Sequence, residues 1–136
     1  MTLKLTDFAG FWRLQRQIID RVQGDARFDG RAEFTSVDQG LAYRERGDLI
    51  LSSGQRLHAQ RDYHWRMQAG RIYVEYADGR SFHDFAPGDA QAQHWCAPDS
   101  YHVRYDFADW PNWSSHWSVQ GPRKSYEMTS HYQKMT

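Results

Sequence analysis

Residues 61–85 read RDYHWRMQAGRIYVEYADGRSFHDF, and their alternation decides the fold. Tyr63, Trp65 and Met67 alternate with Asp62, His64 and Arg66. Beyond Ala69-Gly70, Ile72, Val74 and Tyr76 follow at every second position, and beyond Asp78-Gly79 come His83 and Phe85. A period of two belongs to a strand with one buried face, and Gly- or Asp-bearing turns join such strands into an antiparallel meander. A turn at 68–71 sets Met67 against Ile72, Trp65 against Val74 and Tyr63 against Tyr76. A turn at 77–80 then sets Val74 against His83 and Ile72 against Phe85. Each step keeps the apolar set on one face, whereas a one-residue slip would invert it.

The same punctuation extends in both directions through Gly24-Asp25, Asp38-Gln39-Gly40, Ser52-Ser53-Gly54, Pro87-Gly88-Asp89, Pro98-Asp99, Pro111-Asn112 and Gly121-Pro122. It predicts ten strands near 11–19, 27–37, 41–51, 55–68, 71–77, 81–85, 90–96, 100–107, 115–120 and 125–132. The turn at 86–89 places His83 against Ala92, and the turn at Pro98-Asp99 places Cys96 against Tyr101 and His94 against Val103. One continuous inner face with no obvious edge points to an all-β fold, a closed up-and-down antiparallel barrel forming one domain over residues 1–136. Leu3 to Phe8 reads as a short helical lid or plug.

Lysines plus arginines and aspartates plus glutamates both number 17 in the 136 residues, so the formal net charge is zero. That opposes a nucleic-acid or acidic-membrane partner. Basic residues are interleaved with acids, as in Arg44-Glu45-Arg46-Gly47-Asp48, and no single-sign stripe emerges along the chain. No run of 18 apolar residues exists, and the start lacks the apolar core of a secretory signal, so a cytoplasmic location is expected. The one cysteine, Cys96, makes no internal disulfide. Ile, Leu and Val total 16 against 21 for Trp, Tyr and Phe. Such a core is bulky and carries polar tips, which suits a barrel with a partly polar interior. The cluster Trp110, Pro111, Trp113 and Trp117 is expected to close one barrel end.

The inner face also carries charge. A three-residue loop at Ser52-Ser53-Gly54 puts Glu45 opposite Arg61, and Arg16 is expected opposite Gly30, with Gly47 as the next neighbour. Buried charges need partners. One reading is an internal Arg–Glu network with water that fixes the barrel. The other is a pocket in which Glu45 orients Arg61, while Arg16 and Arg61 hold the charged end of a small amphipathic anion. The ligand-binding set on this reading is Arg16, Glu45, Arg61, Tyr63, Trp65, His83, His94, Tyr101 and Tyr105. His83 and His94 are expected to be diagonal neighbours, with Cys96 beyond, but the spacing matches no zinc signature and no metal or cofactor is assigned. An alternative function is a cofactor-independent isomerase or lyase using His83 or His94 with Tyr63 or Tyr101 for proton transfer.

Gly10-Phe11-Trp12 opens the first strand, and Arg123 follows Gly121-Pro122 before the last. This resembles the calycin pattern of lipocalins and fatty-acid-binding proteins. The resemblance implies that Trp12 and Arg123 form a structural cation–π plug. Further motifs cover nearly the whole chain: Tyr43-Arg44-Glu45-Arg46-Gly47, Arg61-Asp62-Tyr63-His64-Trp65, Asp78-Gly79-Arg80-Ser81-Phe82-His83, His94-Trp95-Cys96-Ala97-Pro98-Asp99-Ser100-Tyr101 and Gly121-Pro122-Arg123-Lys124-Ser125-Tyr126. Together they are similar to a bacterial family of lipocalin-like domains of unknown function, which implies a fold and no activity. By resemblance to fatty-acid-binding proteins, Arg16, Arg61 and Tyr63 would grip a carboxylate. Nitrobindin-like barrels hold haem through a histidine, a role open to His83 or His94, although the glycine-rich opening of those barrels is missing after Trp12.

Overall fold

The computed structural model describes residues 2–136. Ten antiparallel strands follow one another in the chain: β1 (Gly10–Asp20), β2 (Ala26–Val37), β3 (Gly40–Leu51), β4 (Arg56–Gln68), β5 (Arg71–Tyr76), β6 (Ser81–Phe85), β7 (Gln91–Cys96), β8 (Asp99–Asp106), β9 (Trp113–Gln120) and β10 (Ser125–Lys134). They form one sheet in the order β6-β5-β4-β3-β2-β1-β10-β9-β8-β7, with β1 beside β10. The expected up-and-down meander is therefore present, and its strand limits lie within about two residues of those read from the turns.

Closure is incomplete. β6 and β7 are the two edges of the sheet and share no ladder; a bridge between Ala86 and Asp89 ties them only at their connecting turn. The expected pairing of His83 with Ala92 is absent for this reason. Side chains hold the seam instead. Phe85 stacks on Tyr105 of β8 with ring centroids 4.1 Å apart, and Phe82 packs edge-on to His94, Tyr101 and Trp117.

Registers at β2–β3, β3–β4 and β4–β5 follow the sequence reading: Gly30 opposes Gly47, Glu45 opposes Arg61 and Trp65 opposes Val74. Three details differ. Arg16 faces Phe28, and Leu14 takes the place beside Gly30. The β7–β8 hairpin is two residues tighter than expected, so His94 opposes Tyr101 and Ala92 opposes Val103, which preserves the faces. A bulge between β5 and β6 leaves Phe82 without a partner opposite it, and both Phe82 and His83 are buried.

A 3-10 helix, Leu5–Phe8, plugs one end. Phe8 is fully buried in edge-on contact with Phe107, Trp110 and Trp113, and its carbonyl accepts the Trp12 indole N–H at 2.9 Å. The cation over Trp12 is Lys134, its cross-strand partner, with Nζ 4.5 Å from the ring centroid. Arg123 does not fill that role: it is exposed in the β9–β10 turn, at the other end of the barrel.

Candidate functional site: a saturated ion pair and an open mouth

Midway along the barrel, Arg16 and Glu45 form a two-pronged ion pair. Nη1 and Nη2 donate to the two carboxylate oxygens at 2.6 and 2.9 Å, and Nε donates to Ser130 Oγ at 2.7 Å. The residues sit on β1 and β3, so the guanidinium crosses β2 (~10 Å for two strand spacings). Gly30 and Ala32, the small inward residues of β2, leave that path open. A Cβ at Gly30 would collide with Arg46 O and lie 2.8 Å from Gly47 Cα, so the backbones themselves require glycine there. The Tyr43 hydroxyl donates to Glu45 Oε1 at 2.6 Å, leaving the Tyr132 hydroxyl to donate to Tyr43 at 2.8 Å.

Electrostatics agree with this pairing. Burial disfavours both charges, but the Arg16 charge and the hydrogen bonds from Arg16 and Tyr43 keep the Glu45 carboxyl below its ordinary range. Burial is likewise outweighed at Arg16, whose pKa rises beside Glu45. The Tyr132 hydroxyl is pushed up to about 12 by burial and then by the Glu45 charge. The expectation that Glu45 orients Arg61 is therefore corrected: the two face each other in register, yet Glu45 is taken by Arg16.

Arg61 points toward the end opposite the plug. It is exposed although it shares the inner register of Glu45, and Leu57, two turns of the pleat further out, is 42% exposed. This end is open. Among the described residues Arg61 makes no ion pair. Its charge reaches two hydroxyls, Tyr63 beside it and Tyr126 on β10; burial raises both pKa values and Arg61 opposes that rise. Tyr76, Tyr101 and Trp117 are half-buried around the same region, and His94 stands beside Tyr101 with ring centroids 6.0 Å apart. Lys124 closes the rim in an ion pair with Asp99 at 3.0 Å.

The expected ligand-binding set thus divides in two. Arg61, Tyr63, His94 and Tyr101 share the mouth. Arg16, Glu45, Trp65, His83 and Tyr105 lie deeper, and Trp65 packs against Phe8 and Phe34 near the plug. His83 is bonded to Tyr105, with Nε2 and the hydroxyl oxygen 2.7 Å apart, in place of the pairs with Tyr63 or Tyr101. This bond uses Nε2, and the other ring nitrogen is Nδ1. That atom is buried without a partner. Burial, then the neighbouring His94, lowers the His83 pKa to about 3, so the ring is neutral. With Nε2 engaged by Tyr105, His83 is not presented for an iron. Cys96, expected on the inner face near the histidines, is exposed, and no three His, Cys, Asp or Glu side chains among the described residues group as for a metal ion.

Sequence reasoning missed Ser130, Tyr132 and Phe82. The first two continue the alternation of Tyr126 and Met128 along β10 and were within reach of the same arithmetic. Phe82 is inward only because of the bulge, which no residue type signals.

These features define a nearly closed up-and-down β-barrel, plugged at one end by the 3-10 helix and with Arg61 exposed toward the other. The chain belongs to a family of unknown function (DUF6314), whose model matches residues 8–134. No curated protein matches the sequence. Among solved structures, the S-type phycobiliprotein lyase CPES from Guillardia theta is similar, with a TM-score of 0.68 at 9% identity, covering 100% of this chain and 94% of that one. The likeness is one of fold. No helix among the described residues is long and apolar enough to cross a membrane.

Proposed function

We propose that the barrel binds a small amphipathic anion at its open mouth. Arg61 meets the charged end, and Tyr63, Tyr76, Tyr101, Trp117 and Tyr126 cover the apolar body. One observation carries this reading: the internal carboxylate is bound by both prongs of Arg16, which leaves Arg61 inward in register and without an ion pair among the described residues. An exposed arginine fork flanked by aromatic rings recognises a carboxylate, sulfonate or phosphate group. Arg16 belongs to the scaffold on this reading. The barrel likeness to a phycobiliprotein lyase supports the architecture and leaves the ligand open.

The test uses 1-anilinonaphthalene-8-sulfonate as a fluorescent amphipathic anion, with dodecanoate as competitor, on the full chain and on Arg61→Met. Wild type is expected to bind the probe saturably and release it to dodecanoate. Arg61→Met is expected to bind about tenfold more weakly, the loss of one charge-assisted pair, with unchanged thermal unfolding. Equal binding by wild type and Arg61→Met would overturn the reading.

A further inference from the structure

The outer face of β1, β2 and β3 carries a charge arrangement that the interior does not explain. Register sets Arg13 opposite Arg31, and Arg31 opposite Arg46. The row continues to Gln133 on β10 and Gln60 on β4. Three arginines therefore stand abreast between two amides, over roughly 10 Å of sheet at the usual strand spacing. Along the chain they are far apart and interleaved with acids, so no linear stripe betrays them; folding lines them up.

Like charges directly opposite each other destabilise a sheet, and local acids do not cancel this row. Asp48 is bound to Arg56 at 3.1 Å and Asp62 to Arg44 at 2.6 Å, while Asp29 approaches Arg13 only to 3.9 Å. Arg31 and Arg46 have no carboxylate within ion-pair distance among the described residues. Glu33 lies two residues from Arg31, opposite Arg44. The row lines a groove of about 780 Å³ that also includes Arg44, His58 and Lys134. With Arg44 paired to Asp62, Lys134 held at Trp12 and Asp48 paired to Arg56, the groove leaves Arg13, Arg31 and Arg46 beside two carboxylates, Asp29 and Glu33, in a chain of zero net charge.

We propose that this groove is a binding site for a diphosphate or longer polyphosphate group, with Arg13, Arg31 and Arg46 each pairing with phosphoryl oxygens. A single carboxylate is satisfied by one guanidinium fork, whereas linked tetrahedral phosphoryl groups present oxygens to several forks in a line. Bound anion would neutralise the row and remove its repulsion. The site is on the opposite side of the sheet from the barrel mouth and is independent of Arg61.

The experiment titrates pyrophosphate into the full chain by calorimetry, with inorganic phosphate and ADP in parallel and amide NMR shifts as the map. Pyrophosphate is expected to bind at least about tenfold more tightly than phosphate, with shifts centred on Arg13, Arg31 and Arg46. ADP binding equal to pyrophosphate assigns a free diphosphate, and tighter ADP binding assigns a nucleotide. Arg31→Gln is expected to weaken pyrophosphate about tenfold and, without ligand, to raise the melting temperature because repulsion is relieved. Arg21→Gln, which removes an exposed arginine paired with Glu127 elsewhere on the surface, is expected to change neither. Equal losses in the two variants, equal affinity for phosphate and pyrophosphate, shifts centred elsewhere, or a lowered melting temperature for Arg31→Gln would each overturn the proposal.

Discussion

Arg16 and Glu45 meet across an intervening strand, while Arg61, the residue directly opposite Glu45, is left to face the barrel mouth. The relationship separates two arginines that look equivalent in sequence. Removing one partner of a buried pair leaves the other uncompensated, so Arg16→Met and Glu45→Gln are each expected to lose about 3–5 kcal/mol. Arg61→Met is expected to change stability by no more than about 0.5 kcal/mol. Urea unfolding of the three variants measures the contrast, and similar losses at Arg16 and Arg61 would contradict it.

Acid stability should report His83. Its pKa falls from 6.5 in the unfolded chain to about 3 in the folded one, through burial first and His94 second. The neutral ring therefore stabilises the fold above pH 6.5, and that contribution is lost as pH falls toward 3, at about 1.4 kcal/mol per pH unit. Glu45 adds to the loss below its ordinary carboxylate range, because its folded pKa is also lowered. His83→Gln keeps an acceptor for Tyr105 and is expected to flatten the slope between pH 6.5 and 4. Urea midpoints at several pH values follow it.

The plug gives a third contrast. Lys134 lies over Trp12 and donates to Ala9 O at 2.9 Å. Lys134→Met should destabilise by about 0.5–1 kcal/mol, and Arg123→Gln by nothing measurable. The reverse ranking in thermal melts would restore Arg123 to the plug.

Glycine substitutions test the crossing of β2. At Gly30 an added Cβ meets backbone of Arg46 and Gly47, which no rotamer change relieves, so Gly30→Ala should cost about 1–3 kcal/mol. At Gly88 nothing lies within 4 Å of the added carbon, and Gly88→Ala should be neutral or slightly stabilising. Chemical denaturation of the pair decides it.

The fold was legible because period-two alternation and turn residues agree over 61–85 and extend outward without contradiction. Cross-strand neighbours such as Glu45 and Arg61 followed from loop length alone. Contacts two strands apart did not: the partner of Glu45 depends on Arg16 reaching over Gly30, and a ladder count sees only adjacent strands. The seam was also illegible, since Phe85 and Ala90 both look like ordinary strand residues while the β5–β6 bulge and the short β6 and β7 govern whether the edges meet. Trp12 was identified, but its cation came from its direct neighbour on β10 and not from Arg123 of the resembled pattern.

A cylinder laced by hydrogen bonds on every side has a fixed girth, because widening it breaks a whole ladder at once. This barrel is a ribbon rolled until its edges touch, fastened by the Tyr105–His83 bond and stacked rings. None of the nine ladders spans that seam, so backbone pairing does not set how closely β6 and β7 approach along their length. Parting those edges would bring Phe82, Phe85 and His83 into water, so buried rings close the gap that the ladders leave.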